Sequence, residues 1–342
     1  MSTQPKIRFA TIGLNHFHIY GQTNLLLKAG AELVAFYATE PDLIQLYAKD
    51  YPQAKLARSE AEILEDESIQ LVISASIPSE RAPLGIRVMQ HGKDFMSDKP
   101  GFTTLDQLAE TRRVQAETKR IYSINYSERL ETRASTKATE LVKNGVIGKV
   151  IQTVGLGPHR ARLSQRPWWF FKREKYGGVI CDIASHQFDQ FLHYTGATSA
   201  EVVHAQVANY HHPEHPELED FGDVVVRSAN ATGYIRVDWF TPDGLATWGD
   251  GRLTILGTDG YIELRKYIDI AGRPGTDHLF LVSQQKTEYI DCSKEELPYG
   301  RLLVSDVINR TETAMRQDHC FLASELALTA QAKAARLGYL NG

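Results

Sequence analysis

The sequence predicts an α/β, Rossmann-like domain with a parallel sheet over residues 1–125. An α+β domain with a large, mainly antiparallel open sheet follows over residues 126–342. Three observations carry this reading. Short apolar runs alternate with helical patterns of about 10–15 residues through the first third, the signature of βαβ crossovers. Beyond about residue 144 the apolar runs are separated mostly by turn residues. No low-complexity linker or internal repeat lies between the halves, so the boundary is a change of architecture.

Taken in order, Lys6–Ile12 reads as a strand and His18–Lys28 as a helix closed by Gly30. Glu32–Ala38 is a strand, and Pro41–Asp50 a helix opening on proline in its first turn. Leu71–Ala75 is a strand, Glu80–His91 a helix ending at Gly92, and Asp94–Ser97 a strand running into Asp-Lys-Pro-Gly. Thr104–Lys119 is helical, Ile121–Asn125 a strand and Arg133–Asn144 a further helix. Strands are then expected at Lys149–Gly155, Glu201–Asn209, Asp223–Ser228, Thr232–Phe240, Arg252–Gly257 and Tyr261–Lys266, interrupted by a helix-bearing insertion at residues 176–195. A last helix is expected at about residues 322–337.

A net charge of -4 leaves no basic footprint, which argues against a nucleic-acid partner. No apolar run approaches the roughly 20 residues that span a bilayer, so no membrane association is expected. The first residues, MSTQPKIRF, lack the charged-then-apolar pattern of a secretory signal. Cys181, Cys292 and Cys320 share no CxxC spacing, as suits a reducing compartment. The expected location is cytoplasmic.

The turn after the first strand reads Gly13-Leu14-Asn15-His16-Phe17-His18. A dinucleotide site needs glycines there, so that backbone N–H groups approach a pyrophosphate at the helix N-terminus. Gly13 keeps the first position, Asn15 takes the second and His18 the third; an ordinary strand–turn–helix is the alternative. Asn tolerates a left-handed backbone better than most residues. The second strand should end in an acid for the adenosine ribose. Ala38 stands there, with Thr39 beside it and Glu40 two residues on, and no arginine is adjacent, so NAD and NADP both stay open.

Ser97-Asp98-Lys99-Pro100-Gly101 places Lys99 at the carboxyl edge of the parallel sheet, where ligands of such sheets bind. Pro100 biases the Lys99 backbone toward extended conformations. A surface loop lysine is the alternative. Farther on, Gly177-Gly178 precedes Asp182, His186 and Asp189. On a helix Asp182 and His186 share a face, and Asp189 neighbours His186. Such a pair near a lysine can move a proton to or from a hydroxyl while a cofactor exchanges hydride. A capping aspartate with a packed histidine would look the same.

Together these motifs resemble the Gfo/Idh/MocA oxidoreductases over nearly the whole chain. Residues 98–100 are similar to the family's Glu-Lys-Pro motif, with Asp98 in place of glutamate, and residues 177–189 to its Gly-Gly…Asp…His…Asp motif. Ala75–Ala82 stands where the family has Ala-Thr-Pro-Asn-x-x-His, though Pro78 and Arg81 replace the asparagine and histidine. Ser324–Gly338 resembles its C-terminal helix. The resemblance implies a dehydrogenase or reductase that exchanges hydride between NAD or NADP and a hydroxyl-bearing carbon of a sugar, cyclitol or related polyol. Lys99, Asp182 and His186 would be its catalytic residues. Lys99 would hydrogen-bond the substrate hydroxyl, His186 would be the general base or acid, and Asp182 would orient substrate or histidine. Lys99 itself, deprotonated, is an alternative base. Contacts to the dinucleotide would come from Gly13, Leu14, Asn15, His16, Phe17, Ala38, Thr39, Ser76, Ile77, Arg81, Asp98 and Lys99.

Further substrate contacts are sought at Tyr126 and Glu128, just past the last Rossmann strand, and at His159 and Arg160, past the first strand of the second half. Trp168 and Trp169 could stack on a sugar ring; core packing is the alternative. The loop with His211, His212 and His215 matches no familiar zinc spacing, and no metal is expected. A redox-neutral lyase that oxidises transiently with tightly bound NAD, and a non-enzymatic dinucleotide-binding regulator, remain alternatives on the same fold. Exposed strands of the second half suggest a homodimer or homotetramer.

Overall fold

The computed structural model describes residues 6–341; residues 1–5, part of the N-terminal stretch read above, and residue 342 lie outside the described residues. The described residues form two compact units, one from residues up to 125 with 298–321, the other from 126–297 with those from 322 on. The sequence reading had placed 298–321 in the second half. These residues instead pack with the first unit, where Arg310 forks onto the buried Asp94 carboxylate at 2.5 and 2.9 Å.

In the first unit β1 (Arg8–Ile12), β2 (Glu32–Tyr37), β3 (Lys55–Leu56), β4 (Leu71–Ser74), β5 (Asp94–Asp98) and β6 (Tyr122–Asn125) pair in parallel in the order β3-β2-β1-β4-β5-β6. The intervening helices are α1 (His18–Lys28), α2 (Pro41–Asp50), α3 (Glu60–Leu64), α4 (Pro78–Gln90) and α5 (Leu105–Thr118). Strands buried on both faces should be continuously apolar, and Leu71–Ile73 and Phe95–Met96 are fully buried. The strand order reverses between β1 and β4, which places the crevice for a ligand at the ends of those strands.

The second unit begins with α6 (Ser127–Leu130) and α7 (Arg133–Lys143), followed by β7 (Val150–Pro158). A tight turn at Trp168–Phe171, α8 (Arg173–Tyr176) and α9 (Ser185–Thr195) come next. Then follow β8 (Glu201–Asn209), β9 (Phe221–Arg227), β10 (Thr232–Asp238), β11 (Arg252–Gly257), β12 (Gly260–Arg265), β13 (His278–Ser283) and β14 (Thr287–Asp291). After α10 (Tyr299–Asn309), which belongs to the first unit, α11 (Gln317–Lys333) and β15 (Ala335–Gly338) end the chain. Among the described residues the sheet has nine strands, ordered β14-β13-β12-β11-β7-β10-β9-β8-β15, antiparallel except at β10–β7 and β15–β8. Alternation decides its faces: Leu253, Ile255, Ile262, Leu264, Leu279 and Leu281 point to one side and bury against Ala134 and Ala138 of α7.

The expected last helix at 322–337 is corrected at both ends. It starts at Gln317, stops at Lys333, and Ala335–Gly338 is a strand whose backbone pairs with Gln206–Asn209. The Ala-rich run favours helix locally, but pairing at a sheet edge overrides that preference. No helix among the described residues is long and apolar enough to cross a membrane.

Candidate active site

The first unit supplies a dinucleotide-type turn. Gly13 has φ +82°, and a Cβ there would stand 2.5 Å from the Ser76 Cβ, so the turn requires glycine. Its N–H donates to the Tyr37 carbonyl at 2.9 Å, and the His16 N–H donates to the Ala75 carbonyl at 2.9 Å. The ends of β1, β2 and β4 are thereby tied together. Leu14, Ala38, Ser76 and Ile77 are buried, Thr39 and Phe17 are exposed, and Phe17 stacks on His16 with centroids 4.6 Å apart. A groove lined by Gly13, Asn15, Ala38, Thr39, Glu40 and Ser76 runs along this edge, which fits an adenosine and its phosphates.

Lys99 follows β5 and is 5% exposed. Its position is set by Arg81, a residue read from sequence as a dinucleotide contact. The Arg81 guanidinium is buried and donates to the Ser76 carbonyl at 2.7 Å, to the Lys99 carbonyl and to the Pro100 carbonyl at 3.1 Å. Its Nη2 lies 3.2 Å from Asp98 Oδ2. Arg81 therefore holds the lysine-bearing turn from beneath.

Asp98 also faces the two histidines of the turn. His18 Nδ1 lies 3.0 Å from its Oδ1 and His16 Nδ1 3.6 Å from its Oδ2. Burial would raise the Asp98 carboxyl, but His18 and Arg81 outweigh it and hold the group well below the usual carboxylate range. Burial, the charge of His18 and the cations Lys99 and Arg81 push His16 well down, so it is neutral at pH 7. Ligand atoms of His16, His18 and Asp98 lie within 4.8 Å of one another, the reach of a cation site. The Arg81 guanidinium already meets the Asp98 charge, and the adjoining cations oppose a metal ion there.

The second unit supplies the proton-handling pair. Gly177 and Gly178 take positive φ, +88° and +99°, and a Cβ on Gly178 would strike the Gln331 side chain at 2.3 Å. Gln331 of α11 accepts from the Ile180 N–H at 3.0 Å and donates to Glu219, which accepts from the Val179 N–H at 2.9 Å. The orphan donors at this chain reversal are thus satisfied from two distant segments. Ile180–Ala184 then winds as a single wider, π-helical turn before α9, a feature that often marks functional sites. Asp182 is half-buried and His186 is 2% exposed. Asp189, three residues on, is committed elsewhere, accepting both arms of Arg129 at 2.6 and 2.7 Å.

The remaining sequence candidates of the second unit differ in their surroundings. Tyr126 is buried, sets its ring edge-on to His186 at 6.2 Å and hydrogen-bonds the Ser324 hydroxyl at 3.1 Å. Glu128, sought as a substrate contact, is buried and bonded to Lys266 Nζ at 2.6 Å and Gln187 Nε2 at 3.0 Å. Burial raises the Glu128 carboxyl, but the Lys266 ammonium, with His186 and His159, brings it down to about 2. Lys266 also donates to Gln190 Oε1 at 2.8 Å, and Gln190 donates to the His186 carbonyl at 2.9 Å. His159 packs against Trp239 and Trp248, with centroids 5.3 and 4.5 Å away. Arg160 turns back to the carbonyls of Pro242 and Leu245 at 2.8 and 2.6 Å. Trp168 is exposed and Trp169 buried.

The sequence reading missed Glu219, Gln331, Lys266, Trp239 and Trp248, all remote in sequence from the motifs they support. The His211–His215 loop is organised by Asp220, which accepts from the His211 N–H at 2.9 Å and lies 3.0 Å from His212 Nδ1. Cys181, Cys292 and Cys320 are all buried.

Comparisons with known proteins agree with this architecture. Residues 7–126 match an oxidoreductase family with an NAD-binding Rossmann fold, and residues 135–263 match the GFO/IDH/MocA C-terminal domain. The scyllo-inositol 2-dehydrogenase (NAD(+)) of Bacillus subtilis is 25% identical over 265 residues, which is 75% of this chain and 73% of that protein. A crystal structure from Erwinia carotovora atroseptica superposes with a TM-score of 0.95 at 46% identity, covering 97% of this chain and all of the other. Levoglucosan dehydrogenase shares the fold, with a TM-score of 0.77 at 16% identity over 96% of this chain and 98% of that one. The chain belongs to the Gfo/Idh/MocA family of oxidoreductases.

Proposed function

We propose that this protein is an NAD(P)-dependent dehydrogenase or reductase acting at a CH–OH carbon of a sugar, cyclitol or related polyol, with Lys99, Asp182 and His186 as its catalytic residues. The observation that carries the proposal is the buried His186, presented by the glycine turn and the π-helical turn that also carries Asp182. Bound nicotinamide would supply the acceptor or donor of hydride. The chain's own residues handle the proton. Lys99 donates a hydrogen bond to the reacting oxygen and stabilises negative charge as it develops there. His186 accepts the hydroxyl proton in oxidation and returns it in reduction. Asp182 orients the substrate or the imidazole and stabilises the imidazolium. Glu128 and Lys266 act behind His186 as positioning residues.

The test is a panel of sugars, cyclitols and sugar acids with each dinucleotide, following absorbance of reduced nicotinamide. At least one polyol produces net NADH or NADPH. Product formed without reduced cofactor would instead mark a redox-neutral reaction, and dinucleotide binding with no turnover a regulator.

The protein self-associates, we further propose, as a homodimer or homotetramer through the open face of the large sheet. Strand register lines up Val225, Tyr234, Val154, Thr254, Glu263, Phe280 and Tyr289 across that face, and none of these side chains is buried. Light scattering at micromolar concentration should give two or four times the chain mass of 38.4 kDa. A monomer mass would overturn this.

A further inference from the structure

The ribose acid of a dinucleotide fold stands at the end of the second strand, and here that position is Ala38. The structure returns a carboxylate to the same crevice from two residues farther on. Glu40 Oε1 accepts a hydrogen bond from Asn15 Nδ2 at 2.6 Å, and its Oε2 accepts from the Thr39 N–H at 3.2 Å. Asn15 holds the second glycine position of the turn after β1, and that turn is tied to the end of β2 through Gly13 and Tyr37. The residue at the second glycine position and the carboxylate two residues past Ala38 are therefore joined by one hydrogen bond.

The charges lining this groove favour one cofactor. Glu40, Glu60 and Glu80 line it, and Arg87 is its basic member. Arg87 is already spent: its Nε and Nη2 donate to the two Glu60 oxygens at 2.6 and 3.0 Å. A ribose hydroxyl can donate to the fixed Glu40 carboxylate. Among the described residues that line the groove, the one basic side chain is Arg87, already held by Glu60, so a 2′-phosphate would meet the Glu40 carboxylate as a like charge and be repelled. We propose that Glu40, clamped by Asn15, binds the adenosine ribose and makes this enzyme select NAD over NADP.

This rests on the dehydrogenase reading above, and a substrate-free binding experiment separates the two. Wild-type protein, Glu40→Gln and Glu60→Gln are titrated with NADH and with NADPH, following nicotinamide fluorescence. Wild type binds NADH about tenfold or more tighter than NADPH. Glu40→Gln removes the charge and brings the two affinities within about threefold. Glu60→Gln frees Arg87 and tightens NADPH alone. Equal affinities in wild type, or an unchanged ratio in Glu40→Gln, would overturn the inference and leave the dehydrogenase reading standing. Binding of neither dinucleotide by wild type would overturn both.

Discussion

Lys99→Ala lowers kcat/KM by about 10³-fold, or about 4 kcal/mol of transition-state stabilisation, while NADH binding changes by only a few-fold. On the proposed mechanism the ammonium meets the developing alkoxide, and alanine offers neither charge nor donor. The turn is fixed through the main-chain carbonyls of Lys99 and Pro100, which accept from Arg81, and through the Arg81–Asp98 ion pair. A loss of turnover with unchanged melting temperature therefore reads out chemistry alone. Lys99→Arg keeps the charge but replaces a compact ammonium with a planar fork, and it recovers only part of the activity. The measurement is steady-state formation of reduced nicotinamide with the best substrate of the panel, alongside a fluorescence titration with NADH. Undiminished turnover in Lys99→Ala would remove Lys99 from the catalytic set.

The elements that set the Rossmann unit were legible because each carries its own signal. α1 and α2 begin and end at the residues their patterns and caps indicate, and in the second unit β8 and β11 likewise coincide with their apolar runs. Of the elements that escaped, β13 and α10 carry apolar patterns that could have been read, whereas β3, β14 and β15 lack such signals. β3 is two exposed residues, Lys55 and Leu56, paired at a sheet edge. β14 reads Thr-Glu-Tyr-Ile-Asp, too polar to stand out, and is likewise an edge strand. β15 continues a helical pattern and becomes a strand only because β8 offers an open edge. The site divides in the same way. Lys99, Asp182 and His186 announce themselves through short motifs with glycine or proline beside them. Arg81, Glu219, Gln331 and Lys266 hold those motifs from tens to hundreds of positions away, through contacts that no local pattern encodes. Arg81 and Glu128 were picked out for their residue type and place in the order. The structure shows that both side chains are turned inward, so their charge is met inside the protein.

The buried pair behind His186 carries the largest expected effect on stability. Lys266→Ala leaves the Glu128 carboxylate without its counter-ion in a place water does not reach, at a cost of about 3–5 kcal/mol. For a unit of this size that corresponds to a fall in melting temperature of roughly 6–20 °C. The desolvation cost of the pair is itself large, so removing both charges is gentler than removing one. The double variant Glu128→Gln with Lys266→Met should recover much of the loss. The pH dependence distinguishes an ion pair from mere packing. The Glu128 carboxyl is lowered to about 2 in the folded protein, below its value of roughly 4.3 in an unfolded chain. Its contribution to stability is therefore fully present above about pH 4.3 and is lost as the pH falls toward 2. Without Lys266 the carboxyl is no longer held down, and acid unfolding no longer shows this loss between about pH 4 and 2. Thermal melts of wild type, Lys266→Ala, Glu128→Gln and the double variant between about pH 2 and 7 measure the effect. Equal melting temperatures for wild type and Lys266→Ala at neutral pH would show that the pair is not what holds the floor beneath His186.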